Sequence, residues 1–199
     1  PKGEALTEID ATTPVTLRVA SPDLDWSYER TLELTTVTDV PADGGAMRQS
    51  FLSPIDGSAQ YFGLRRPTED APVDGYALAL SLHGAGVGGQ GQAGSYGPKT
   101  DTILVAPTNR RRFGFDWELW GRLNGISALD HAMETMDVDP TRVYVTGHSM
   151  GGHGTWQFGT LYPGRFAVVG PSAGWISFET YGGSAFPDGP FGWARLSSD

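Results

Sequence analysis

The sequence predicts an α/β fold, a doubly wound and mostly parallel sheet preceded by a small N-terminal β segment. Three observations carry that prediction. Residues 76–82 and 102–106 are short apolar runs, as expected of strands buried on both faces of a parallel sheet. A helical stripe separates them from a β-branched run at 142–146, so strand and helix alternate along the chain. Ahead of residue 46 the pattern is instead a simple period of two.

Within that first stretch, residues 13–20 place Val15, Leu17 and Val19 on one face, and 30–37 do the same through Leu32 and Leu34. Pro22 and Asp23 open the connection between the two predicted strands. A segment this short cannot bury a core of its own, so it reads as the end of a larger β domain or a ribbon packed on its neighbour. Residues 41–45 (PADGG) read as a linker, dividing the chain into 1–45 and 46–199.

From Met47 the reading changes. Residues 50–51 and 60–64 form a predicted hairpin around Pro54-Ile55-Asp56-Gly57, with Asp56-Gly57 at the turn. The strands at 76–82 and 102–106 follow. Ile126, Leu129, Met133 and Met136 mark a helix over 124–136. Asp139-Pro140 closes the next connection before the strand at 142–146, a helix-compatible stretch covers 152–162, and 166–169 supply a last strand.

The composition narrows the function classes. A net charge of −9 argues against nucleic acid or an anionic membrane as partner, and no run is long enough to span a bilayer. Nine acids against three bases fall within residues 1–45, which reads as a solvated acidic surface. The absence of cysteine removes thiol chemistry, disulfides and zinc–thiolate sites. Four scattered histidines without ligand spacing predict no metal site, and no cofactor is called for. With no initiator methionine at Pro1, the chain reads as processed or excerpted. The acidic β segment suggests a secreted or periplasmic home.

Chemistry enters at Gly147-His148-Ser149-Met150-Gly151, a G-x-S-x-G between a predicted strand and a predicted helix. That context makes it a nucleophile elbow, with Ser149 lifted clear of the sheet on a strained turn and glycines letting strand and helix pass closely. Such a serine needs backbone N–H groups aimed at the attacked carbonyl oxygen. Met150, the residue after it, offers one. The Leu82-His83-Gly84-Ala85-Gly86 loop offers the other, through Ala85 first and Gly86 next.

The two motifs resemble those of the α/β-hydrolase superfamily. Residues 106–112 (APTNRRR), Phe115-Asp116-Trp117-Glu118 and 148–156 resemble its prolyl oligopeptidase-like and related esterase branch, over roughly residues 60–180. The resemblance implies acyl transfer through an acyl-enzyme, with a general-base histidine and an orienting carboxylate. It also implies the chain order serine, acid, histidine. Here the pattern breaks. The acids after Ser149 are Glu179, Asp188 and Asp199, and the only histidine is His153, one turn along the next helix. His148 is expected to point into the sheet packing, His131 lies on the preceding helix, and His83, on the oxyanion strand, is the least implausible base. The expectation is therefore the N-terminal part of an α/β-hydrolase domain whose acid and histidine lie elsewhere, in a C-terminal portion or a second chain, with Asp188, in a Pro/Gly-rich tail, as the alternative acid.

Trp117, Trp120 and Trp175 are candidates to line an acyl or leaving-group pocket, set against a plain core role. Arg110, Arg111 and Arg112 are candidates for a substrate carboxylate or phosphate, set against a solvated loop or internal ion pairs. The expected activity is serine-dependent hydrolysis of a small-molecule ester or short peptide, with a lean to ester. The rivals are a non-catalytic binding module on the same fold and a half-site completed by another chain.

Overall fold

The computed structural model of the chain describes residues 12–21, 23, 25–35, 45–114 and 116–176. Its elements run β1 (Thr12–Ser21), β2 (Trp26–Thr35), β3 (Met47–Leu52), β4 (Ala59–Arg65), β5 (Tyr76–Leu82), α1 (Gly89–Gly94), β6 (Thr102–Pro107), α2 (Leu119–Thr135), β7 (Val138–His148), α3 (Met150–Leu161) and β8 (Val168–Ser172). The chain divides into two compact units, Pro1–Val40 and Pro41–Asp199, each taken here by itself. The predicted linker, apart from Gly45, and the candidate acids Glu179, Asp188 and Asp199 lie outside the described residues.

In the first unit β1 and β2 pair antiparallel, with Val15 opposite Leu32 and Val19 opposite Tyr28. Strand pleating puts these residues and Trp26 on one face, which stays largely exposed, while Thr16 and Thr31 share the other and hydrogen-bond at 3.1 Å. The second strand begins at Trp26 rather than 30, because Trp26 and Tyr28 continue the alternation that Leu32 carries.

In the second unit a six-stranded sheet has the order β3-β4-β6-β5-β7-β8. The β3–β4 hairpin joins antiparallel, and β6, β5, β7 and β8 are mutually parallel. The apolar runs occupy the middle because both their faces are covered. Leu78, Leu80, Ile103, Val105, Val143 and Val145 pack with Ala128 and Leu129 of α2 and with Met150 and Phe158 of α3. On the opposite face Leu104 and Ala106 pack with Ala93 of α1. Alternate residues of one strand thus feed two layers, the doubly wound arrangement. Full burial of such a side chain stabilises by about 1.5–3 kcal/mol, so this centre holds the unit together.

Other elements of this unit also depart from expectation: α2 starts at Leu119 rather than 124, and β7 starts at Val138, so that Asp139-Pro140, read as a connection, lies within it. The last strand lies at Val168–Ser172 rather than 166–169, because an exposed edge strand tolerates the Gly170-Pro171 pair that local pattern excludes. Helix α1 was not foreseen: its Gly/Gln sequence has poor helix propensity, and close backbone packing holds it instead. A side chain at Gly89 would strike the carbonyl oxygen of Ala106, and one at Gly63 the backbone of Gly89 and Gln90. Among the described residues no helix is long and apolar enough to cross a membrane.

Candidate active site

The parallel strands deliver four loops to their carboxyl ends, where open α/β sheets place their ligands. The loop after β7 is a sharp turn into α3 at Ser149, which has φ 58° and ψ −119°. A non-glycine residue there is strained, at a cost of order 1–3 kcal/mol, and stays only where its surroundings over-determine it. They do. A Cβ on Gly147 would meet the carbonyl of Gly151, and one on Gly151 the carbonyl of Leu82. The Ser149 N–H donates to Ser172 O at 3.0 Å, and the Ser149 carbonyl accepts the His153 N–H at 3.1 Å.

Ser149 is half-buried, and its Oγ makes no hydrogen bond to any described residue. Met150 opens α3, so its N–H belongs to the first turn, which has no intrahelical acceptor and carries the positive end of the helix dipole. Gly84 lies against the elbow: a Cβ there would stand 3.3 Å from His148 O and 3.8 Å from the Ser149 Cβ. The predicted oxyanion loop and the predicted nucleophile are therefore neighbours. Within that loop Val87 N–H donates to Gly84 O, and Gly86 N–H donates to Arg112 O, both at 3.2 Å. The Gly86 amide is thus already engaged, whereas the exposed Ala85 amide makes no hydrogen bond to a described residue.

None of the four histidines hydrogen-bonds Ser149 Oγ. His83 is buried, with Nδ1 2.9 Å from Gly84 O and Nε2 3.0 Å from Thr108 O. His131 stacks on Phe51 at 5.4 Å, on α2. His148 corrects the expectation that it points into the sheet packing: it is exposed, with Nδ1 3.2 Å from Ser172 Oγ, because β7 ends there and the ring emerges beside the edge strand. His153 is fully buried, with Nε2 3.0 Å from Glu118 Oε1 and Nδ1 3.0 Å from Trp175 O.

The candidate pocket tryptophans separate. Trp117 is fully buried in the core, donates from Nε1 to His83 O at 3.0 Å, and as placed offers no surface to a ligand. Trp120 is exposed beneath the Arg110 guanidinium, 5.3 Å from its ring centroid. Trp175 is half-buried and stacks on His153 at 4.9 Å and 11°.

Of the three arginines, Arg110 is committed internally, pairing with Asp56 at 2.7 Å and donating to Ser53 Oγ at 2.9 Å. That guanidinium holds the Asp56 carboxyl well below the usual carboxylate range. Arg111 and Arg112 are exposed, and the Phe113 ring beside them reaches 3.6 Å from where a Gly86 Cβ would stand. Burial raises the Asp116 carboxyl above its ordinary value, with His153 partly opposing and Glu118 adding to the shift.

Sequence reasoning missed Glu118, the role of His153 and that of Ser172. The only available signal was a carboxylate and an imidazole set in apolar surroundings, in DWEL and GGHG. Among the described residues no three potential metal ligands cluster.

No family model and no curated protein matches the chain. Solved structures do. FphF, a fluorophosphonate-binding serine hydrolase of Staphylococcus aureus, matches with a TM-score of 0.54 at 16% identity, over 68% of this chain and 59% of that one. A thermostable esterase matches with a TM-score of 0.51 at 23% identity, over 70% and 43%. A CE1 ferulic acid esterase of Anaeromyces mucronatus in complex with ferulic acid matches with a TM-score of 0.51 at 14% identity, over 71% and 62%. The fold is that of an α/β-hydrolase. The chain spans less than two thirds of the length of each of these three. At these identities the likeness to the hydrolases is one of fold, and the prolyl oligopeptidase branch is not singled out by it.

Proposed function

We propose that this chain carries the nucleophile and the oxyanion site of a serine hydrolase acting on esters through an acyl-enzyme. The observation that carries the reading is Ser149 held at positive φ on the strand-to-helix turn, beside a loop with an unspent amide at Ala85. A stabilising turn has no use for that strain.

In the proposed reaction Ser149 Oγ attacks the carbonyl carbon, and the Ala85 and Met150 N–H groups hold the oxygen as its negative charge develops. A base takes the Oγ proton and passes it to the leaving alcohol. Water then releases the acid by the reverse route. None of the four histidines hydrogen-bonds Ser149 Oγ, and residues 177–199 contain no histidine, which supports a base from elsewhere. On this proposal a histidine base would be supplied by other polypeptide, either continuous with these residues or on a second chain. The exposed edge strand β8 is where such polypeptide can extend the sheet. The choice of ester over short peptide leans on the esterases of like fold; neutral aryl esters against dipeptidyl amides test it, and amide preference reverses it.

The rival reading, a binding module on a hydrolase fold, draws on the same lack of a base. Fluorophosphonate labelling of the native polypeptide, with Ser149→Ala as control, separates the two. Label that disappears in Ser149→Ala supports the hydrolase. A folded native polypeptide that takes no label leaves the binding module.

A further inference from the structure

We infer that Trp117 and Glu118 are positioning residues: two adjacent side chains of one loop tie the oxyanion loop to the nucleophile helix and hold the Ala85 and Met150 amides at a fixed separation. The catalytic consequence rests on the serine-hydrolase reading; the tie itself does not.

Trp117 reaches towards the oxyanion loop. Its Nε1 donates to the carbonyl of His83, the residue before Gly84, and its ring meets the His83 ring edge-on at 4.9 Å. The other side of Trp117 fits flush on α3, where a Cβ at Gly154 would strike its Cβ and Cγ.

Glu118 reaches the other way. Its Oε1 lies 3.0 Å from Nε2 of His153, in the first turn after Ser149, and both side chains are at least nine-tenths buried. His153 Nδ1 faces the carbonyl of Trp175, which can only accept, so Nδ1 carries a proton. A second proton must then lie between Nε2 and Oε1, whether as imidazolium–carboxylate or as imidazole–carboxylic acid. Through Trp175 the tie also takes in the loop after β8, where Gly174 packs against Gly152 and Ser172 O accepts the Ser149 N–H. Three of the four loops at the site are thereby fastened to the fourth.

Two features argue against a merely stabilising role. Glu118 is the N-cap of α2, where a side-chain acceptor usually bonds to its own first turn, yet its carboxylate makes no capping bond and goes to His153. The backbone around it is strained, with Asp116 at φ 50°, Trp117 at φ 66° and Leu119 at φ 41°. A bulky aromatic at positive φ is an outlier, and such strain concentrates where geometry is functional.

The test is fluorophosphonate kinetics on the native polypeptide, resolved into probe affinity and maximal labelling rate. Trp117→Phe removes only the indole N–H from the tie, and Glu118→Met removes the hydrogen bond while filling the space. Both should lower the maximal rate about ten- to a hundredfold with affinity nearly unchanged, the scale of a small misplacement of reacting groups. Glu118→Gln should recover most of the loss, because its amide can donate to the Nε2 of a neutral imidazole. Arg142→Gln, which breaks the pair with Asp101 at the amino ends of the strands, should label normally.

Folded Trp117→Phe and Glu118→Met proteins labelling at the wild-type rate would overturn the inference. If the wild-type polypeptide takes no label, the hydrolase reading fails and two other readouts still judge the tie. A slowly exchanging downfield proton between His153 Nε2 and Glu118 should be visible by NMR in the wild type, and the Ser149 amide should exchange faster in Glu118→Met. Absence of that proton, or unchanged exchange, sinks it.

Discussion

Removing the Ser149 side chain in two ways separates the strain of the elbow from the chemistry of its hydroxyl. Ser149→Ala keeps the Cβ that makes φ 58°, ψ −119° costly; Ser149→Gly deletes it. The strain is of order 1–3 kcal/mol. Glycine gives back about 0.5–1 kcal/mol through the greater freedom of its unfolded chain. Only one carbon is lost between the two variants, at a position that is half-buried and faces a glycine, Gly84. Ser149→Gly should therefore be more stable than Ser149→Ala by about 1 kcal/mol, the difference between the middles of those two ranges. In a domain of this size that is a rise in thermal midpoint of a few degrees, at about 2–4 °C per kcal/mol. Urea unfolding at matched slope, supported by calorimetry, measures it without any need for activity. A Gly variant no more stable than the Ala variant refutes a strained elbow, and with it the observation on which the functional proposal rests.

Three further outcomes follow from the same geometry. Gly151→Ala must displace the backbone where α3 meets the carbonyl of Leu82, and should cost about 3 kcal/mol or more, the scale of serious overpacking; Gly164→Ala, with open space around it, should be near neutral, and chemical denaturation compares them. Asp116→Asn should stabilise the fold at neutral pH, since burial raises the Asp116 carboxyl and Asn tolerates its φ of 50°. A carboxyl raised in the folded state destabilises it while ionised, so the gain should be full above the folded pKa and vanish below the unfolded value of about 3.9. Asp56→Asn should do the reverse. The Arg110 hydrogen bond lowers the folded pKa of Asp56, so its contribution is present above the unfolded value and is lost as the pH falls through the folded one. Stability curves at neutral and acid pH should show wild type and Asp56→Asn converging on acidification.

The legible parts of the sequence were those where local pattern and tertiary role coincide. Residues 76–82 and 102–106 read as doubly buried strands because nearly all their side chains are apolar and most are buried, and β5 and β6 occupy those places. The elbow was legible through its local spacing, Gly147 being demanded by a contact with Gly151, whereas the contact that demands Gly151, with the carbonyl of Leu82, is distant in sequence. The edge strand was misplaced because exposure imposes no pattern on it. The Glu118–His153 pair was illegible for another reason: its members stand 35 positions apart, and neither carries a local mark of the other. Trp117 and Trp120, three residues apart, looked alike as loop aromatics, and only the fold decides that one is sealed in the core and the other lies under Arg110.

On the proposed serine-hydrolase reading, the arrangement bears on where a base supplied by other polypeptide would enter. Gly84, Ser149 and Ser172 bring the oxyanion loop, the elbow and the edge strand to one place, while Trp117, Glu118 and His153 seal the space beneath them. A base approaching Ser149 Oγ from below would have to cross that packed layer, so the open approach is past the exposed side, where Ala85, Phe113 and His148 stand. His148 already holds a ring nitrogen at Ser172 Oγ, on the border between elbow and edge strand. On the proposed reading, polypeptide that adds to the free edge of β8 would pass this border, where a histidine could approach the serine from the exposed side. On that reading completion of the site and extension of the sheet would be one event. A continuation of the chain would make it intramolecular; a second chain would make labelling of Ser149 depend on protein concentration, and dilution would tell the two apart.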